Sequence, residues 1–267
     1  MRDHDPTMPE GSMDKTMRQL WARLEKPWIR RILQEYLPPS RLHTLGCEVI
    51  VHPSDNFTEL KLWEKGELPE REATQYLMDE FVGQDVTIVD VGGNAGLFGM
   101  PILKAGGPNS KAIFFEPNPV MQARLSRNAE INDLEDRVTL MPFAVSDKEG
   151  EMPLYLPHHG NLGQGRLGVK YRNTDAKDAL RVPVRVLPDC LKEQGVEKID
   201  LLKVDVEGLE DRVIVPLLND PDTPDPRFIY FEISHDGIWD LPLLSVLEKS
   251  GYREIRKFDY NALFQKS

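Results

Sequence analysis

Residues 86–99 read Val-Thr-Ile-Val-Asp-Val-Gly-Gly-Asn-Ala-Gly-Leu-Phe-Gly. Val86–Val91 has the length and β-branched content of a buried strand. The turn that follows is rich in glycine, which permits positive φ and lets backbone approach a ligand closely. A helix is expected from Leu97 to Lys104, so the turn's amides can receive an anionic or carboxylate group. Asp90, at the strand end, is placed to face a cation or an amine. Plain structural turns between strand and helix also use glycine, so the next strand tip matters. It is Lys111–Glu116, and Glu116 falls twenty residues after Gly96. A carboxylate there can accept hydrogen bonds from both hydroxyls of a ribose. Pro117-Asn118-Pro119 then turns the chain into a helix over 119–132, with Asn118 a candidate base or ribose contact.

Outward from these two tips the chain alternates. Further strands are expected at 138–145, 199–206 and 227–233, with helices at 188–194, 208–219 and 241–249. Segments 252–258 and 262–265 close as a hairpin around Asp259-Tyr-Asn261. Segments 151–156 and 182–187 are extended but stand outside the alternation. Short apolar strands separated by 10–15-residue helices imply βαβ units. The expected class is therefore α/β, a doubly wound and mostly parallel sheet with an antiparallel C-terminal strand. Ligands belong at the carboxyl ends of its strands.

Residues 1–82 read as an N-terminal extension and 83–267 as the ligand-binding domain. The first twelve residues are polar and expected to be mobile. Residues 13–37 are helical by spacing, interrupted at Pro27 and stopped by Pro38-Pro39, and Trp21 and Trp28 are expected to pack on the main domain. A strand over 46–52, a loop or hairpin over 54–69 and a helix over 70–82 follow.

The turn separates two nucleotide chemistries. A dinucleotide fingerprint needs G-x-G-x-x-G. Here Gly92, Gly93, Gly96 and Gly99 space differently, and Asn94 stands at the middle glycine of D-x-G-x-G-x-G. An acid directly before the loop disfavours a pyrophosphate and suits the ammonium of S-adenosylmethionine (SAM). A third motif, Leu201-Leu-Lys-Val-Asp-Val-Glu-Gly208, puts Lys203, Asp205 and Glu207 on one face of a strand by its period of two. Charges at the end of a buried strand are costly unless they pair or bind something. Glu232 ends the next strand in the same acidic rim, and His235 follows.

Together, D-V-G-G-N-A-G (90–96), F-F-E-P-N-P (114–119), the Asn128…Asn132 helix, A-V-S-D-K-E-G-E (144–151) and L-L-K-V-D-V-E-G-L-E (201–210) resemble the FkbM-type SAM-dependent methyltransferase family. The resemblance spans about residues 83–258. It implies the class I Rossmann-like methyltransferase fold, a seven-stranded sheet whose last strand is antiparallel. It implies O-methylation of hydroxyls on secondary metabolites or sugars. Asp90, Gly92, Asn94 and Gly96 would line the methionine end of SAM. Glu116 would hold the ribose, Ala144-Val145 would flank adenine, and Asp205 and Glu207 would lie beside the transferable methyl. Gly93 departs from the family's usual alanine, and Val186-Leu-Pro-Asp189 from its Ser-Leu-Asp-Asp.

An alcohol must lose its proton as it attacks, which needs a general base. Asp205, Glu207 and His235 are the candidates, and Asp205 is also a candidate partner of the SAM ammonium. The rim of Asp205, Glu207 and Glu232 offers hard oxygen donors, but no ligand set for a metal is fixed, and none is assigned. The polar stretch Pro157–Arg181 holds His158-His159, Asn161, Gln164 and Arg166. It reads either as a lid or as a solvated insertion.

Composition narrows the partners. With 33 Lys+Arg against 44 Asp+Glu, the chain of 267 residues carries −11, which disfavours a nucleic-acid partner. The N/D-P-P-Y/F/W signature of base-amine methylation is absent, the corresponding residues being Asp205-Val-Glu-Gly. Two cysteines and no CxxC fit a reducing compartment. No apolar h-region or 20-residue apolar run is present, so a cytoplasmic protein without a membrane span is expected. The partner expected is a small-molecule hydroxyl substrate. N-methylation of protein or nucleic acid, and a SAM-binding scaffold without turnover, are the alternatives.

Overall fold

The computed structural model describes residues 12–157, 161–170 and 179–267. Its centre is a seven-stranded sheet. In chain order the strands are β3 (Thr87–Val91), β4 (Lys111–Phe115), β5 (Val138–Met141), β10 (Leu201–Val204), β11 (Phe228–Glu232), β12 (Tyr252–Phe258) and β13 (Asn261–Lys266). They are laid side by side as β12-β13-β11-β10-β3-β4-β5. All neighbouring pairs from β11 to β5 are parallel, while β13 runs antiparallel to both β11 and β12. This is the expected class I arrangement. From β3 the chain steps outward to β4 and β5, then returns to place β10 on the other side of β3. The crevice opens at that reversal.

Side-chain alternation divides the core into two layers. Ile88, Phe114, Leu201 and Tyr230 face one cluster, shared with α4 (Arg71–Phe81), α5 (Gly99–Ala105) and α6 (Pro119–Glu130). Val89, Phe115, Leu202 and Phe231 face the other, with α7 (Leu187–Glu193), α8 (Glu210–Leu218) and α9 (Leu243–Lys249). The N-terminal residues share the first cluster. Trp21 in α1 (Ser12–Ala22) meets Trp63 edge-to-face at 5.8 Å and donates to Glu64 at 2.7 Å.

Three expectations need correction, and one strand pair is additional. Residues 54–69 are neither loop nor hairpin, since α3 spans Phe57–Lys65. Its start was written in Asn56, whose side chain accepts from the Glu59 N–H, and its end in Gly66 at φ 71°; both are ordinary caps. Trp28, in α2 (Pro27–Gln34), is 61% exposed rather than packed. Residues 138–145 are two strands, because the chain leaves the main sheet after Met141. Ala144–Val145 (β6) joins β7 (Gly150–Tyr155), β8 (Arg166–Leu167) and β9 (Leu180–Arg185) in a separate sheet ordered β6-β9-β7-β8. Finally, Ser40–Thr44 (β1) pairs antiparallel with Cys47–Val51 (β2), and was not anticipated.

Two asparagines four residues apart, Asn128 on α6 and Asn132 just past its C-terminal end, bind the free edge of β2. Asn128 Oδ1 accepts from the Ile50 N–H at 2.8 Å, and Asn132 both accepts from the Glu48 N–H at 3.0 Å and donates to the Glu48 carbonyl at 2.6 Å. They do for that edge what another strand would. Cys47 and Cys190 are both free and buried, as small apolar residues should be. Residues 1–11, including most of the expected mobile tail, and His158-His159 lie outside the described residues.

Candidate active site

The tips of β3, β4 and β10 converge on one cavity of about 160 Å³. Its formation depends on a close backbone crossing. Gly92 has φ 83°, and a Cβ there would stand 2.0 Å from the Asp205 carbonyl oxygen. Only glycine lets the β3 and β10 tips touch, and the Asp205 N–H donates to the Val91 carbonyl at 3.0 Å across the same gap.

Glu116 sits at one end of the cavity. Its two oxygens accept from the backbone N–H groups of Asn94 and Asn118, both at 2.8 Å. Burial pushes this carboxyl up to about 7, although those two N–H groups and Lys203 pull it down. The glutamate therefore ties the glycine turn to the following strand tip, with lone pairs left for hydroxyl donors. Asn118 caps α6 through its Oδ1 and donates from Nδ2 to the Leu162 carbonyl at 2.9 Å. Ala144 and Val145 line the cavity beside it.

At the other end lie Asp205 and Glu207. Glu207 holds a left-handed φ of 57° without being glycine, an arrangement that costs of order 1–3 kcal/mol and clusters at functional sites. Burial and the neighbouring Asp205 raise its pKa, while Arg166, 3.6 Å away, lowers it. Between the two ends Lys203 is buried. Its Nζ donates to the Gly92 carbonyl at 3.0 Å and lies 3.3 Å from Asp90 and 3.5 Å from Asp205. Burial alone depresses a lysine, but Asp90, Asp205 and Glu70 outweigh it and hold the ammonium above its ordinary range.

The roof comes from residues the family motifs do not include. Asn161–Gly165 crosses the cavity. Asn94 Nδ2 donates to the Gly163 carbonyl at 3.3 Å, and the Leu162 N–H donates to the Asp55 carbonyl at 2.6 Å. Gly163 packs so tightly that a Cβ would lie 2.5 Å from both Asn56 and Asn94. Asn161 accepts from the Phe57 N–H at 3.0 Å, and Phe57 and Thr58 complete the wall. Of the stretch Pro157–Arg181, the described residues Asn161–Gly165 cover the cavity. Asn161 and Gln164 in that polar stretch were its sequence signal; nothing in the sequence announced the Phe57–Thr58 wall.

Gly92, Asn94, Glu116, Asn118, Ala144, Asp205 and Glu207 thus line one space. Asp90, Gly96 and His235 do not line it. Asp90 is fully buried beneath the glycine turn, and neither of its carboxylate oxygens has a hydrogen-bond partner. Gly96 keeps a positive φ of 79° and faces Met100. His235 lies behind the 206–208 loop, 3.4 Å from the buried Glu210 and 3.9 Å from Glu232. Among the described residues no group of three or more His, Cys, Asp or Glu is arranged to hold a metal ion.

A sequence profile described as "Methyltransferase FkbM domain" matches residues 90–263. The chain belongs to the FkbM methyltransferase family. Methyltransferase sdnD of Sordaria araneosa is 36% identical over an alignment of 155 positions that covers 48% of this chain and 58% of that protein. The 2-O-methyltransferase NoeI of Sinorhizobium fredii is 29% identical over 61% of this chain and 70% of its own length. The 31-O-demethyl-FK506 methyltransferase FkbM of Streptomyces tacrolimicus is 30% identical over 56% of this chain and 65% of its own. The match to the Sordaria protein thus spans little more than half of that relative. Among the described residues no helix is long and apolar enough to cross a membrane.

Proposed function

We infer that this FkbM-family chain is a SAM-dependent methyltransferase that transfers a methyl group to a hydroxyl of a small molecule or sugar. One observation carries the reading: a single roofed cavity has a ribose-type glutamate at one end and two carboxylates at the other. The residues present fit a cationic nucleoside. Asp90 is buried with the Lys203 ammonium 3.3 Å away as its counter-charge, and Asp205 and Glu70 share that same buried lysine. Bound positive charge is favoured in such surroundings.

Glu116 would accept the ribose hydroxyls, with Asn118, Ala144 and Val145 beside the base. The turn at Gly92–Gly96, backed by Asp90, would border the amino-acid end. When bound, SAM supplies an electrophilic methyl on a positively charged sulfur. Asp205 and Glu207 would hold the acceptor hydroxyl in line with that methyl. One of them would take the proton as the new C–O bond forms and the C–S bond breaks. Glu207 is favoured, because burial and Asp205 already raise its proton affinity. Its neighbour Arg166 would tune that affinity and meet polar acceptors entering beside Gln164. The hydroxyl preference draws support from the O-methyltransferase names of two relatives.

Thermal shift and calorimetry with SAM and S-adenosylhomocysteine (SAH) test the cofactor. Both should stabilise the protein, and Glu116→Ala should abolish the effect. Transfer of a labelled methyl to a panel of sugars and hydroxylated small molecules, with peptides and tRNA as competing acceptors, tests the substrate class. Labelling of peptide or tRNA alone would overturn the hydroxyl reading.

A further inference from the structure

The amino-acid end of the cavity lies toward a residue upstream of the family match. Glu70 immediately precedes α4, within the N-terminal 82 residues, and its carboxylate feels the charge of Lys203. Its Oε1 accepts a hydrogen bond from the Tyr230 hydroxyl at 2.9 Å. Tyr230 is in turn stacked on Phe98 at 5.0 Å, and Lys203 Nζ lies 5.9 Å from the Phe98 ring centre. Glu70 also lines a second, smaller cavity with Thr58, Thr74, Leu97 and Phe98. Thr58 lines the main cavity as well, so that residue borders both spaces.

A ligand whose ribose rests on Glu116, at the β4 tip, must extend its other end past β3 toward β10. Glu70 stands on that side. Three carboxylates there, Asp90, Asp205 and Glu70, face the single buried ammonium of Lys203. Asp90 and Asp205 already lie 3.3 and 3.5 Å from it. A second cation would bring the charges nearer balance. Burial pushes Glu70 up to about 7, opposed by Lys203 and reinforced by Asp205; a neighbouring ammonium would relieve that cost.

We propose that Glu70 is a cofactor-binding residue contributed by the N-terminal region, and that it receives the α-ammonium at the amino-acid end of SAM on the Lys203 side of the site. Glu70's part rests on the main cavity being a SAM site, and the test separates the two ideas. SAH carries the amino-acid end; 5′-methylthioadenosine keeps the adenosine and sulfur but lacks it. Calorimetric affinities for both are measured on the full chain, wild type and Glu70→Gln. The expected result is at least a tenfold loss for SAH with less than a twofold change for 5′-methylthioadenosine. Equal losses for both ligands would make Glu70 a merely structural residue, and no loss for either would remove it from the site. Should Glu70→Gln fail to fold, Glu70→Asp keeps the charge and retracts it, and should still weaken SAH selectively. If wild type binds neither compound, the cofactor reading itself fails, independently of Glu70.

Discussion

Replacing Gly92 by alanine tests the crossing on which the site depends. The new methyl would sit 2.0 Å from the Asp205 carbonyl oxygen and 3.0 Å from its carbon. Real side-chain carbons essentially never come closer than 3.0 Å, so one backbone must retreat by about 1 Å, a shift that close-packed interiors resist. Alanine at φ 83° also enters the left-handed region, costing roughly 1–2 kcal/mol. The retreat stretches the Asp205 N–H to Val91 carbonyl bond and the Lys203 bond to the Gly92 carbonyl, each 3.0 Å. The first is worth about 1 kcal/mol and the second, being charge-assisted, about 1.5–3 kcal/mol. Partial loss of both brings the total to roughly 3–5 kcal/mol. Urea unfolding followed by circular dichroism measures it as a lower midpoint at unchanged slope. SAH affinity should fall with it, since Asp205 moves away from the turn. A loss below about 1 kcal/mol would mean that the two tips separate freely, and the account of a rigid crossing would be wrong.

Other expectations follow from the same geometry. Glu116 and Glu70 have folded pKa values raised from 4.5 to about 7. Such acids add stability that is complete below the unfolded value and disappears as pH climbs through the folded one. The ligand-free protein should therefore lose stability from about pH 4.5 to 7, on the order of 3 kcal/mol for Glu116 alone. Melting temperatures across that range check it, and Glu116→Gln should flatten the profile. Glu207→Gln should cut turnover by roughly 10²–10⁴ while SAH affinity stays within about threefold; equal losses in both would make Glu207 a binding residue. Asn128→Ala should cost about 2–4 kcal/mol, because the Ile50 N–H and the Ala95 carbonyl both lose a buried partner. A denaturation curve matching wild type would show that water replaces the asparagine.

The sheet was legible because its signals are local. Apolar runs of four to six residues, the Asp90–Gly96 turn and Glu116 at the next tip require no knowledge of distant contacts. Most of the cavity lining followed, since strand tips in a doubly wound sheet converge by topology alone. Other features depend on long-range partners. His235 is a candidate base by its residue type and its place after the β11 tip, yet its ring lies beside Glu210 behind the loop. Residues 142–143 interrupt what reads as one apolar strand, and only pairing of Ala144 and Val145 with Val184 and Arg185 reveals a second sheet. Trp28 has the spacing of a packed residue, but α2 has no buried side chain among its residues.

The N-terminal region completes the cavity as much as it decorates the sheet. Asn56 links three parts of the chain at once. Its Oδ1 caps α3, while its Nδ2 donates to Asn94 Oδ1 at 3.1 Å and to Met121 Sδ at 3.4 Å. The same Asn94 oxygen accepts from its own neighbour, the Ala95 N–H, at 2.8 Å, which supports the left-handed turn at φ 49°. Its amide then reaches the Gly163 carbonyl in the roof. Residue 94 is where a glycine would be expected if only backbone freedom mattered. An asparagine there tolerates the same φ and adds two amide contacts that tie turn, roof and α3 together. Close by, Arg124 reaches from α6 to Glu59 at 3.0 Å and Asp55 at 2.8 Å, clamping the same segment from below. The roof therefore stands on residues 55–58 as well as on the glycine turn. A chain cut to the matched span, beginning at residue 90, would keep Glu116 and Asp205 but lose the wall against which Asn161–Gly165 closes.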